Sequence, residues 1–171
     1  WQPAVVAGAY PWPLHIIALA AMIAVLAERF ARQDGEDRRR TAYMTLSALS
    51  LIALALFLVT TKGALTVALS VLIVAAAALD RRFRLPEMGW FIQAGVLVLG
   101  WRLIADPGLT WAFEAPVWEV ALAFLAAIAA MAMALRLLAP LVRQGAAVFL
   151  ESGLAAHAAS FANVLILRWI D

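Results

Sequence analysis

Cysteine is absent from the 171 residues, and disulfides, thiolate metal sites and cysteine nucleophiles are excluded with it. Histidine occurs twice, as His15 and His157, too far apart in sequence to suggest a paired-ligand motif. No metal site and no cofactor are therefore expected. The sequence has no Gly-rich phosphate loop, no paired-histidine motif and no nucleophile elbow, so no catalytic motif argues for an enzyme. Charge is also scarce, at 14% of residues, against roughly 25% in ordinary soluble domains. The formal net charge of +2 is too small to suggest a nucleic-acid partner.

Apolar residues fill the space that charge leaves. They make up 66% of the chain, the mean hydropathy is +0.94, and the long segments are apolar all round. Soluble helices need a polar outward face. The composition implies an integral membrane protein built only of helices, since backbone polar groups in lipid must be satisfied within the segment.

The stretch from Thr60 to Pro86 sets the frame. Seventeen uncharged residues, Gly63 to Leu79, are followed by Asp80, Arg81, Arg82 and Arg84. At about 1.5 Å per residue this run nearly matches the roughly 30 Å of a bilayer's hydrocarbon core. Similar runs predict six spans: about Pro13 to Phe30, Thr41 to Thr60, Gly63 to Leu79, Met88 to Ala105, Ala115 to Leu138 and Gly145 to Ile170. The fourth is short unless Arg102 snorkels outward. The whole chain, 1–171, reads as a single all-α polytopic transmembrane bundle.

Basic residues give the bundle a direction, because they concentrate in cytoplasmic loops. The links after spans one, three and five hold Arg29, Arg32, Arg38, Arg39, Arg40, Arg81, Arg82, Arg84, Arg136 and Arg143. The other side holds Lys62, Arg102 and Arg168. Ten against three places both termini on the non-cytoplasmic side. The first residue is Trp1 and no basic region precedes the first span, so the chain is expected to be a fragment of a longer protein. Twelve of thirteen basic residues are Arg, a bias suggesting a GC-rich bacterial source and hence a bacterial inner membrane. Prolines and aromatics at the start, Trp1, Tyr10 and Trp12 among them, fit an interfacial entrance, and Trp101, Trp111, Trp118 and Trp169 continue an outer aromatic belt.

Polar chemistry concentrates in two places. The last span carries Glu151, Ser152, His157, Ser160 and Asn163, and ionisable groups at membrane depth usually face protein or water. Glu151, His157 and Asn163 are the candidate intramembrane polar site. Glu151 and His157 lie about 120° apart on the helical wheel, so they form no direct dyad. Glu151 is expected to pair with Arg143 or Arg136, and His157 to be satisfied by a neighbouring helix or to serve as a proton relay. The side with Glu151, Ser152, Ala155, Ala156, Ala159, Ser160 and Asn163 reads as a small, polar packing face. Ala126, Ala130 and Ala134 offer a second close-approach stripe. The outer loop between residues 106 and 119 carries the other candidates, Asp106, Glu114 and Glu119.

The succession TKGALTVALSVLIVAAAALDRRFRLPEM, GWRLIADP and FLESGLAAHAASFANVLILRW resembles the bacterial DUF2339 family of predicted membrane proteins. Leu79, Asp80, Arg81, Arg82, Arg102, Asp106 and Pro107 carry the resemblance. It implies a segment of a much longer multi-span protein and brings no catalytic residues. Three functions stay open: a structural or assembly segment of a large envelope protein, a transporter segment with a polar site on the last helix, and a membrane enzyme acting on lipid-linked substrates. The expected partners are the bilayer and further transmembrane helices or subunits.

Overall fold

A computed structural model describes residues 11–33, 35, 38–60 and 62–170. Trp1 and Tyr10 of the expected interfacial entrance lie outside the described residues. The fold is all-α, with no strand among the described residues. Five helices are long and apolar enough to cross a membrane, and six when one bent pair counts as a span. The helices are α1 (Pro11–Gln33), α2 (Arg39–Val59), α3 (Lys62–Phe83), α4 (Met88–Ile104), α5 (Gly108–Glu114), α6 (Val117–Leu138) and α7 (Gln144–Ile170). A 3-10 turn, Ala139–Leu141, follows α6. The chain divides into two compact units, Trp1–Thr60 and Thr61–Asp171.

The first unit is the helical hairpin of α1 and α2. Pro13, Ala20 and Ala27 are buried on α1, and Thr41, Ala48 and Ala55 on α2, each at seven-residue spacing. A seven-residue period keeps one seam facing its neighbour, and alanines on that seam let the backbones approach closely. Near the polar turn, Arg40 stacks on the Phe30 ring with its guanidinium carbon 5.2 Å from the centroid.

The second unit is a ring of four long helices. α3 touches α4 and α6, and α7 touches the same two. Half of the α3 span is buried, more than of any other span. Leu65, Leu69, Leu72, Ile73, Ala76 and Asp80 recur at three- and four-residue spacing on its buried side. α6 contributes Ala123, Ala127, Ala130 and Ala134. Ala126, expected on the same stripe, is half-buried, so the seam runs through Ala123 and Ala127 instead.

Helix ends are fixed by polar contacts. α3 continues through Asp80, Arg81 and Arg82, so these charges ride on its last turn rather than in a loop. Asp80 is fully buried and accepts two hydrogen bonds from Arg143, from Nε and Nη2, both at 2.8 Å. Val142, with φ 52°, turns the chain through the left-handed region just before Arg143. At the other end Arg168 donates to the carbonyls of Ala112 (3.0 Å) and Ala115 (2.7 Å). Those carbonyls belong to the end of α5, where helical partners run out. The expected outer loop thus contains a short helix, bent by 60° from α4 and tied down by α7.

Candidate functional site

The polar residues of α7 are divided between two sides of the helix. Leu150, His157 and Val164, seven residues apart, are buried. Glu151, Ser152, Ala155, Ala156, Ala159 and Asn163 are exposed, and Ser160 is half-buried. The candidate trio is therefore not one site: His157 faces the bundle and Glu151 and Asn163 face away from it. The pairing of Glu151 with Arg143 is not made, because Arg143 binds Asp80 on the bundle side. The Asp80 carboxylate, by hydrogen bonding, holds the Arg143 guanidinium above its ordinary range, with burial opposing it.

The outward face of α7 has its own order. Val148, Ser152, Ala155, Ala159, Ala162 and Ile166 are exposed at alternating spacings of four and three. This is the spacing of a helix-packing seam, and its four central residues are small. The expected packing face exists, but within this unit the opposite face does the packing.

The inward face meets a partly open pocket of about 30 Å³ in the second unit. α3 supplies Thr66, α4 Leu99 and Arg102, α5 Trp111, α6 Phe124 and α7 His157. Arg102 does not snorkel outward to lengthen the fourth span: only 3% of its side chain is exposed. Its Nε donates to Thr66 Oγ1 at 3.1 Å, and Nη1 lies 3.9 Å from Asp106. The inward turn follows from register: Arg102 falls three residues after Leu99 and six after Val96, both buried on the same side of α4.

His157 Nδ1 lies 2.8 Å from the Gly153 carbonyl, which as a pure acceptor places a proton on Nδ1. The backbone of Leu99 is its neighbour on α4. Its ring meets Phe124 edge-on, with centroids 6.3 Å apart, and Phe124 stacks on Phe161 at 5.4 Å. His157 is thus satisfied within the bundle.

The outer carboxylates do not gather. Asp106 and Glu114 are exposed. Glu119 is half-buried, and its Oε1 lies 3.1 Å from the position a Cβ would take on Gly63. It sits against the first turn of α3, where a negative charge complements the helix dipole. Among the described residues no group of three or more His, Cys, Asp or Glu could hold a metal. Sequence reasoning missed Arg102, Thr66 and the Asp80–Arg143 pair. The four-residue spacing of Asp80 from Ala76 on the apolar side of α3 was the available signal for that pair. No family model matches the chain, and neither a curated protein nor a solved structure matches it.

Proposed function

We propose that this chain is an assembly segment of a larger bacterial inner-membrane complex, and that the outward face of α7 seats a transmembrane helix of another subunit. One observation carries this reading: a membrane-length helix presents Glu151, Asn163 and a seam of small residues away from its own bundle. An ionisable group costs on the order of 2.5 to 3.5 kcal/mol at the centre of a span on insertion scales, and Glu151, two turns inside one end, bears a smaller part of that cost, so lipid is a poor neighbour for such a face. Small residues instead permit close helix approach. The helix that fits is apolar, with a small-residue seam of its own and a Lys, Arg, Ser or Thr donor level with Glu151. The resemblance to DUF2339 membrane proteins supports the same setting, a segment within a longer envelope protein.

A photoreactive residue at position 155, activated in native membranes, is expected to cross-link to a second protein chain. Adducts with lipid alone, or cross-links confined to one chain, would overturn the proposal. The transporter reading loses its polar trio to the two faces of α7, and the enzyme reading has no converging carboxylates.

The proposed orientation has both termini on the non-cytoplasmic side, on the strength of the ten-to-three distribution of basic residues. Reporters fused after Gly35 and after Gly108 are expected to report the cytoplasm and the opposite side respectively. Finding both on one side would refute the topology.

A further inference from the structure

Two neighbouring helices of the second unit, α3 and α6, carry exposed apolar strips that end in arginine. On α3 the exposed positions Ala64, Val71, Ala78 and Arg82 follow one another at spacings of seven and four, a single line along the helix, with Val67 and Ala75 half-buried beside it. On α6 the exposed line is Leu122, Leu125, Ala129, Met133 and Arg136.

The two helices run in the same direction. Gly63, in the first turn of α3, lies against Glu119 in the first turn of α6, and Asp80 near the end of α3 binds Arg143, just beyond α6. The stagger between Gly63 and Glu119 sets Arg82 level with Leu138, two residues or about 3 Å along the axis from Arg136. Packed helix axes lie about 8 to 10 Å apart, within the joint reach of two arginine side chains.

We propose that this end of α3 and α6 binds an anionic phospholipid, with its phosphate between Arg82 and Arg136 and an acyl chain along the strip from Ala64 to Ala78. Charge selects the headgroup. Arg81, Arg82, Arg84 and Arg136 are all exposed, and among the described residues none of their side chains is in an ion pair. Arg82 lies over the Phe83 ring, 5.1 Å from its centroid, a contact through the guanidinium face that leaves the N–H donors at its edge. Of the carboxylates at this end, Asp80 is taken by Arg143, and Glu87 is half-buried and acts on Arg143. A phosphodiester matches the guanidinium fork. The cationic group of a zwitterionic lipid would be repelled by the same four arginines.

The apolar strips select a lipid over free phosphate. Alanines at 64 and 78 leave a shallow seat, and Val71 between them is 61% exposed. Trp90, 74% exposed in the first turn of α4, marks an interfacial level at the same end.

The test uses the chain purified in mild detergent and stripped of lipid, with phosphatidylglycerol and phosphatidylcholine as probes and native mass spectrometry to count the lipids retained. Phosphatidylglycerol is expected to be retained at concentrations where phosphatidylcholine is not. Arg82→Gln and Arg136→Gln are each expected to weaken its retention about fivefold, the equivalent of about 1 kcal/mol per arginine near an anionic surface. Arg29→Gln, on α1, changes the net charge equally and is expected to leave retention unchanged. Ala78→Phe fills the strip at an exposed position, and is expected to weaken retention without lowering the unfolding temperature of the lipid-free protein. Inorganic phosphate at the same concentration is expected not to displace the lipid. Equal retention of the two lipids, an equal effect of Arg29→Gln, unchanged retention in Ala78→Phe, or displacement by inorganic phosphate would each overturn the proposal. The site does not use the outward face of α7, so cross-linking from position 155 is read separately and failure of either proposal leaves the other intact.

Discussion

Replacing Arg143 with alanine is expected to lower the unfolding free energy by about 3 to 5 kcal/mol, the usual penalty for leaving one member of a buried pair alone. Asp80 has no exposed surface, while about a fifth of the Arg143 side chain reaches the outside, at 22%. The two halves of the pair are therefore unequal. Without Arg143, the carboxylate stays buried among apolar helices and loses the partner that offsets its desolvation. Without the carboxylate, Arg143 can turn toward water. Asp80→Asn, which keeps the volume and one of the two acceptor oxygens and removes the buried charge, is thus expected to cost clearly less than Arg143→Ala. Equilibrium unfolding of both variants in mild detergent checks the order. Equal large losses would contradict the claimed inequality of the two partners, and losses below about 1 kcal/mol in both would show that the pair acts only as a surface contact.

Gly153→Ala is expected to destabilise the second unit by about 1 to 3 kcal/mol through overpacking, despite alanine's helix preference of roughly 0.5 to 1 kcal/mol over glycine. A Cβ there would lie 2.6 Å from Val96 Cγ1 and 3.1 Å from Met131 Sδ, against α4 and α6 together. Methionine is flexible and can move aside. Valine in a helix holds nearly one rotamer and cannot. Adding Val96→Ala should therefore recover much of the loss, and the double-mutant cycle should show coupling. Additive losses would mean that the two helices do not meet through these residues.

The spans could be read in advance because lipid imposes long, uninterrupted apolar runs with charges at their ends. Met88, Leu138 and Ile170 mark helix boundaries in both readings for that reason. What the runs do not encode is rotation about each helix axis. In a soluble helix the polar side marks the outside, but in a span both sides are apolar, and α7 shows the consequence. Its polar face, read as a packing face, is turned away from the second unit, and Leu150, His157 and Val164 are the residues turned inward. Arg102 escaped for the same cause: a charge near the end of a span was counted with the outer basic residues, and only the register with Val96 and Leu99 turns it toward Thr66. Asp80 sat in a run of arginines that argued for topology, so its burial was masked by its neighbours. The short helix α5 was hidden by Pro107 and Pro116, which read as loop punctuation although they bound seven helical residues.

The absence of cysteine from these 171 residues makes the outward face of α7 directly measurable, since single cysteines introduced along it meet no competing thiol within this segment. Spin labels at positions 150, 155, 157, 159 and 164 report accessibility to lipid-dissolved oxygen, first in purified protein in bilayers and then in native membranes. The account predicts that positions 150, 157 and 164 are protected in both. Positions 155 and 159 should be accessible in the purified protein and protected in native membranes, where the partner helix covers them. Accessibility at 155 and 159 that stays high in native membranes would contradict the proposed assembly role, and accessibility at 157 would contradict the orientation of α7 itself.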